Sequence, residues 1–380
     1  MNVVNFLKAN SVDQLKSQFS IKVKQYPEEG LIVLNYTVFS AENDPIVKEC
    51  RSLILTIPDY KIVSRSFDRF LNYNEVGPGD PIDVDGGEYY AKEKIDGSLI
   101  KFYQFDGTWC VSTRGMAFAE GEINRTTATI TPITYKQAVY EALNISHDDE
   151  FQKFCQTYNL NESYTYILEL TGKDNRVIIE YNPNKYELWL LGIRRNDATG
   201  EYMDIEKSDL PNELIKKPKV YSFPSMVDCV NQAKQLTDLQ EGFVICNKST
   251  GQPVYKVKSS RYVCYHNAIT NGDLTARDIL KLIVNEDWKE FIAYFPEHGD
   301  AINEQLELVR RYFSTVETEF EELRKTMKFD YDFSVFDGKQ WKSIAITAIK
   351  KKEANFVEIF MKSYDTNKKL AFLLKALNVN

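Results

Sequence analysis

The stretch Ala91-Lys92-Glu93-Lys94-Ile95-Asp96-Gly97-Ser98, followed at once by Leu99-Ile100-Lys101-Phe102, decides how the chain is read. One strand ends in a Lys-x-Asp-Gly-Ser turn and another begins. Asp-Gly alone is an ordinary hairpin signal. The turn lies within a long tract of similar character. From about Leu31 to Lys258, short runs rich in Val, Ile, Tyr and Phe are separated by Gly, Asp, Asn and Pro, the punctuation of strands. Examples are Leu31-Ile32-Val33-Leu34, Trp109-Cys110-Val111, Arg176-Val177-Ile178-Ile179 and Glu187-Leu188-Trp189-Leu190-Leu191. Helical patterns over Tyr135 to Leu143 and Ser225 to Leu236 interrupt them, so the expected class is α+β with antiparallel sheets flanked by helices.

After His266 the strand-like runs stop and helical periodicity takes over, which puts a boundary near residues 260 to 270. Asn271-Gly272-Asp273 offers an N-cap before Leu274, Ile279, Leu280 and Ile283. Val309, Tyr312, Phe313, Val316, Phe320, Leu323 and Met327 recur at three- and four-residue intervals, which predicts the buried stripe of a long helix. Further helices are expected around Trp341 to Ile349, Ala354 to Met361 and up to Leu373, Leu374 and Leu377. Residues 350–380 hold seven lysines (Lys350, Lys351, Lys352, Lys362, Lys368, Lys369, Lys375) against Glu353, Glu358 and Asp365. Such a run is usually a solvated face, and it also suits RNA phosphates.

Composition removes several alternatives. The 380 residues carry 47 Lys+Arg against 55 Asp+Glu, a net charge of -8, so a generally cationic coat for nucleic acid or membrane is excluded while a local basic groove is not. No apolar stretch has the length of a spanning helix, and the expected location is the cytoplasm. The six cysteines form no C-x-x-C pair, and the three histidines are not spaced as metal ligands. Zinc chemistry and Ser-His-Asp hydrolysis therefore have little material. Neither a G-x-x-x-x-G-K-[ST] loop nor a Rossmann glycine fingerprint occurs, so phosphate handling must rest on Lys, Arg and carboxylates.

Those side chains are present in strand-like surroundings. Lys256 and Lys258 flank Val257, and period-2 alternation puts both ammonium groups on one face, which is costly unless an anion lies between them. Glu169 interrupts the apolar Tyr166-Ile167-Leu168-Glu169-Leu170, and Glu241 precedes Gly242-Phe243-Val244-Ile245. Both are candidates for metal or cation contact, although each alone would more often be a surface or salt-bridged residue.

In chain order, Lys94-Ile95-Asp96-Gly97-Ser98, the Glu169 strand, Glu241-Gly242-Phe243-Val244 and Lys256-Val257-Lys258 resemble the motifs of the covalent nucleotidyltransferases, the superfamily of ATP-dependent ligases and capping enzymes. The resemblance narrows to the phage tRNA-repair RNA ligase family, RNA ligase 1. Glu49-Cys50-Arg51 is similar to its Glu-Cys-Arg-Gly segment, and Ser64-Arg65-Ser66-Phe67-Asp68-Arg69-Phe70-Leu71-Asn72-Tyr73-Asn74-Glu75 to its Ser-Arg-Pro…Lys-Phe-Phe-Asn…Asn-Glu segment. Ser112-Thr113-Arg114-Gly115, Asn175-Arg176-Val177 and Ser259-Ser260-Arg261-Tyr262-Val263 extend it. Ser52 stands where the family has Gly, Leu71 where it has a second Phe, and Arg69 and Arg114 where it can have Lys.

The resemblance implies an adenylyltransferase domain over 1–262 and a helical RNA-specificity domain over 263–380. It implies that Lys94 attacks the α-phosphorus of ATP to form a lysyl-adenylate, with Lys256, Lys258, Arg69 and Mg²⁺ lowering the lysine's proton affinity and neutralising the phosphate. A free lysine titrates near about 10.4, so some such pressure is needed. Asp96, Glu169 and Glu241 would position the metal or its water shell, with a ribose or turn contact as the alternative for Asp96. Glu93 would meet adenine through its backbone beside Gly97, and Arg51 and Arg114 would contact nucleotide or RNA phosphate. Glu286-Asp287 would help bind a second Mg²⁺, against the ordinary reading of a solvated helix pair. The implied partners are RNA, a cleaved tRNA in particular, and an end-healing polynucleotide kinase-phosphatase, in the host cytoplasm if phage-encoded. The rivals are a capping guanylyltransferase or DNA ligase, which usually append an OB-fold where this chain reads as helices. A non-catalytic RNA-binding scaffold and a structural adaptor are the remaining alternatives.

Overall fold

The computed structural model describes residues 1–37, 39–73, 87–123, 132–175, 179, 181–236, 240–259, 262, 274–285, 288–294, 298–326 and 366–379. The chain divides into two compact units, Met1–Val263 and Cys264–Asn380.

The first unit opens with α1 (Asn2–Ala9) and α2 (Val12–Phe19), the latter started by a capping box in which Ser11 and Gln14 satisfy each other's amides. These helices and α3 (Pro45–Glu49) bury Val3, Leu7, Leu15 and Val47 against a sheet of β1 (Ile21–Tyr26), β2 (Leu31–Tyr36), β3 (Arg51–Thr56) and β4 (Ile62–Ser64). After β5 (Leu71–Asn72) and β6 (Tyr89–Glu93) come β7 (Ser98–Phe105) and β8 (Thr108–Thr113). The helices α4 (Tyr135–Ala142) and α5 (Asp148–Thr157) follow, α4 capped by Thr134 and Gln137, and α5 by a first turn of Asp148, Asp149 and Glu150 that suits the positive end of its dipole. Then come β9 (Tyr164–Gly172), β10 (Tyr186–Arg195), β11 (Tyr202–Met203), β12 (Ile215–Lys216), β13 (Val220–Tyr221), α6 (Met226–Gln235), β14 (Gly242–Asn247) and β15 (Pro253–Lys258).

One six-stranded sheet runs β11-β10-β9-β7-β8 with β12 beside β10, and a five-stranded sheet runs β13-β6-β14-β15-β5. The expected antiparallel pairing dominates, but β12 on β10 and β5 on β15 are parallel. Both parallel strands are two-residue edge segments reached by long connections, so no hairpin dictates their direction. The expected runs at Leu31, Trp109 and Glu187 fall in β2, β8 and β10, and the expected helices at Tyr135 and Ser225 are α4 and α6. Residues 176–178 lie outside the described residues.

The Lys94 turn is not a hairpin. β6 pairs with β13 and β14, whereas β7 pairs with β8 and β9, so the turn carries the chain from one sheet to the other.

The second unit has α7 (Ala276–Asn285), α8 (Trp288–Tyr294), α9 (Gly299–Thr326) and α10 (Thr366–Ala376). The amides of Thr275 and Asp278 are satisfied by each other's side chains at the start of α7, while Asn271, Gly272 and Asp273 lie outside the described residues. Val309, Val316 and Phe320 form the buried stripe of α9, and Leu373 is buried on α10. Met327, the segments at Trp341 and Ala354, and Lys350, Lys351, Lys352 and Lys362 lie outside the described residues. Among the described residues no helix is long and apolar enough to cross a membrane.

Candidate active site

Within the first unit a cleft of about 570 Å³ opens between the five- and six-stranded sheets. Its walls carry six cationic side chains (Arg51, Lys92, Lys94, Arg114, Lys256, Lys258) and three carboxylates (Glu93, Glu169, Glu241), a basic cleft in a protein of net charge -8. Strand register explains the lysines. Val244 lies opposite both Lys92 and Lys256, and Gly242 lies opposite Lys258 and accepts the Lys94 amide at 2.8 Å. Opposed residues on antiparallel strands project to the same face. Four lysines therefore stand on one face in two rungs, Lys92/Val244/Lys256 and Lys94/Gly242/Lys258.

Glu241, buried just before β14, joins the second rung: Lys94 Nζ donates to its Oε2 at 2.6 Å, and Lys258 Nζ lies 3.8 Å from its Oε1. The nucleophile candidate is thus held by a carboxylate. Glu169 faces the cleft from β9 opposite Leu99, and burial pushes its carboxyl up to about 8, with Lys94 opposing the shift and Glu241 adding to it.

Arg51 approaches from the start of β3, its guanidinium 5.1 Å from the Phe70 ring centroid and 6.0 Å from that of Phe67. Its Nε and Nη1 are buried and make no hydrogen bond, and burial lowers its proton affinity. Unsatisfied buried donors of a charged fork cost free energy unless an anion meets them. The next residue, Ser52, adopts a left-handed φ of 55°, the conformation that suits the glycine found there in the resembling family. Its amide donates to Asn35 Oδ1 at 2.8 Å, and its carbonyl accepts the ammonium of Lys101, a fully buried lysine on β7.

Gly97 is required by close approach. A Cβ there would lie 2.2 Å from the Leu170 carbonyl oxygen and 3.0 Å from Glu169 Cγ, so the turn packs against the Glu169 strand only without a side chain. Ser98 Oγ donates to Asn175 Oδ1 at 2.8 Å, fastening the same turn to the end of β9.

Two expected residues are not brought to the cleft wall. Asp96 is buried and turned into the fold, where Tyr262 Oη donates to one carboxylate oxygen at 2.9 Å and the Ile179 amide to the other at 3.0 Å. Both carboxylate oxygens thus accept hydrogen bonds within the fold, and Asp96 does not line the cleft. Arg69 is drawn off by Glu42 at 3.3 Å and by the Tyr36 ring, 4.4 Å from its guanidinium, so it does not line the cleft. Arg114 takes the other approach to Tyr36 at 5.0 Å and does line the cleft. The Glu93 amide donates to the Lys219 carbonyl at 2.8 Å and is therefore already spent within the sheet. Glu286 and Asp287 lie outside the described residues.

Lys92 stands two residues before Lys94, and the alternation that pairs Lys256 with Lys258 applies equally to it, so period 2 is the signal that marks it. Phe67 and Phe70, which carry the Arg51 guanidinium, fall in the Ser64–Glu75 segment of the resemblance, but nothing local in the sequence links them to Arg51. Among the described residues no cluster of three His, Cys, Asp or Glu forms a metal cage. Glu169 and Glu241 together still suit Mg²⁺, which is commonly held by one or two carboxylates together with substrate phosphates.

A family model described as RNA ligase matches residues 49–262, more than half of the chain and every cleft residue named above. The chain belongs to the RNA ligase family. It is 38% identical over 310 residues to a putative bifunctional polynucleotide kinase/RNA ligase of Autographa californica nuclear polyhedrosis virus, covering 78% of this chain and 42% of that protein. It is 28% identical over 184 residues to an RNA ligase of Rhodothermus phage RM378, covering 42% of this chain and 40% of that one. The chain thus spans about two-fifths of the length of these relatives. Among solved structures, an archaeal ATP-dependent RNA ligase aligns with a TM-score of 0.47 and 13% identity, over 78% of this chain and 75% of that one. In this member of the RNA ligase family, the matched segment begins two residues before Arg51 and ends at Tyr262, the residue that anchors Asp96.

Proposed function

We propose that the protein is an ATP-dependent RNA ligase in which Lys94 is the nucleophile. The observation that carries this reading is the convergence of Lys94, Lys256, Lys258 and the unsatisfied Arg51 with Glu169 and Glu241 in one cleft. Such a set suits a polyphosphate, because several cations meet the charge and two carboxylates remain for a divalent ion.

Lys94 Nζ would give up its proton, leave Glu241 and attack the α-phosphorus of ATP; an N–P bond forms, the bond to the β-phosphate oxygen breaks and pyrophosphate leaves. Lys256 and Lys258 meet the charge that grows on the α-phosphate, and Arg51 and Arg114 meet the outer phosphates or the RNA 5′-phosphate. Mg²⁺ held by Glu169 and Glu241 would supply further neutralisation. AMP then passes to an RNA 5′-phosphate, and a 3′-hydroxyl displaces it, sealing the strand. In this reading 1–262 is the adenylyltransferase domain and 263–380 the RNA-specificity domain. Lys368 and Lys375 are exposed on α10, which supports contact with RNA phosphates. The viral relative's name joins a polynucleotide kinase to an RNA ligase, which supports an end-healing kinase as partner. A broken tRNA as substrate rests on the motif resemblance alone.

The test is incubation with Mg²⁺ and either α-labelled ATP or α-labelled GTP, mapping of any covalent label, and then addition of RNA bearing 3′-hydroxyl and 5′-phosphate ends. Label from ATP on Lys94 and sealed RNA are expected. Label from GTP would make the protein a capping enzyme, and no label in folded, AMP-free protein would make it a binding scaffold.

A further inference from the structure

We infer that Lys92 reads the base of the nucleotide, its ammonium donating to a ring nitrogen of adenine; this rests on the ATP reading above. Lys92 lines the cleft yet is only 8% exposed. Of its three donors, the one hydrogen bond found among the described residues is a long one, 3.4 Å to the Leu191 carbonyl. Burial lowers its proton affinity, so the protein bears a desolvation cost for keeping an ammonium there. Its ammonium lies 5.6 Å from the Tyr90 ring centroid, Cys246, Glu206 and Asp204 act on its charge, and the same cleft carries the apolar Leu191, Pro218, Val244 and Pro253.

The position suits a base. Lys92 stands one rung from Lys94 on the same strand face, about 6–7 Å along the strand, comparable to the separation of a nucleotide's α-phosphate from its base. The apolar wall would hold the faces of a purine, which leaves the edge to a donor. Adenine offers N1, N3 and N7 as acceptors, and an ammonium has only donors to give. Leu191 supports the arrangement from the other side. It is the extra residue of a β-bulge, where the register of β10 on β9 shifts between Leu190 and Gly192. Bulges re-aim groups beside functional sites, and here the Leu191 carbonyl accepts from Lys92.

Binding of ATP, 1-deaza-ATP, 3-deaza-ATP and 7-deaza-ATP with Mg²⁺ to the full Lys94→Ala chain, measured by calorimetry, tests the assignment without requiring chemistry. One deaza analogue is expected to bind roughly tenfold or more weakly than ATP, the scale of one hydrogen bond to a charged group. Adding Lys92→Met should lower ATP to the level of that analogue and make the four ligands bind alike. Equal binding of all four before Lys92 is changed, or discrimination that survives Lys92→Met, overturns the inference. The first of these outcomes needs no Lys92 variant, so a misfolded Lys92→Met chain does not protect the idea. Failure of the ligase reading shows separately, as absence of AMP on Lys94 in the unsubstituted protein.

Discussion

Lys94 Nζ and Glu241 Oε2 stand 2.6 Å apart, and the second oxygen of the same buried carboxylate lies 3.8 Å from Lys258 Nζ. One carboxylate therefore holds both lysines of a rung, and in the proposed reaction it is the acceptor at hand for the proton of Lys94. Glu241→Gln keeps the shape and removes the charge. Lysyl-adenylate formation in a single turnover should fall by about 10²-fold or more, with the fold intact by circular dichroism. An unchanged rate would remove Glu241 from the machinery.

Arg51 gives a trade between stability and binding. Its Nε and Nη1 are buried without a hydrogen-bond partner, so Arg51→Met should raise Tm when no ligand is added. The same change should weaken ATP by about tenfold to a hundredfold, because a charge-assisted contact is lost. Pyrophosphate should stabilise the parent protein more than the variant in the same thermal melts.

Glu169 predicts a pH dependence whose sign is fixed. Its folded carboxyl titrates near 8 because of burial, above the ordinary carboxylate range, so between roughly 4.3 and 8 the folded state binds more protons than the unfolded one. Its contribution to stability is complete at low pH and is lost as pH rises through that window. Glu169→Gln cannot ionise, so its Tm relative to the parent should climb steadily from pH 5 to pH 8. A pH-independent difference would contradict the shift.

Lys101 has the opposite slope. Burial pushes its ammonium down to about 7, so between about 7 and 10.4 the unfolded state holds more protons and stability rises with pH. The Tm of Lys101→Met relative to the parent should be most favourable at pH 7 and decline as pH approaches 10. The variant also frees the Ser52 carbonyl beside Arg51, so weaker ATP binding should accompany it.

Much of this arrangement is legible in the sequence because it depends on alternation. Period 2 alone puts Lys256 and Lys258 on one face, and a lone glutamate in an apolar run marks Glu169 as a residue whose charge must be answered. The helical stripe of α9 is read in the same way. Long-range partners are not legible. An Asp in an Asp-Gly turn reads the same whether it faces a cleft or the interior, and the group that turns Asp96 inward is 166 residues away. Arg69 is similar: its charge is visible, but Tyr36 and Glu42, which hold it off the cleft, become neighbours only when β2 and the segment before α3 fold beside it. The passage of β6 and β7 into different sheets is hidden too, since strand, Asp-Gly, strand is locally a hairpin.

The hydroxyl of Tyr262 reaches back to Asp96 beside Lys94, and it does so from the last residues of the first unit. A protein dissected at the end of β15, four residues earlier, would keep every cleft residue named here and lose the tether on the turn that presents Lys94. Where the chain is cut thus decides whether the isolated first unit holds the Lys94 turn in place or is an intact shell around a loosened lysine.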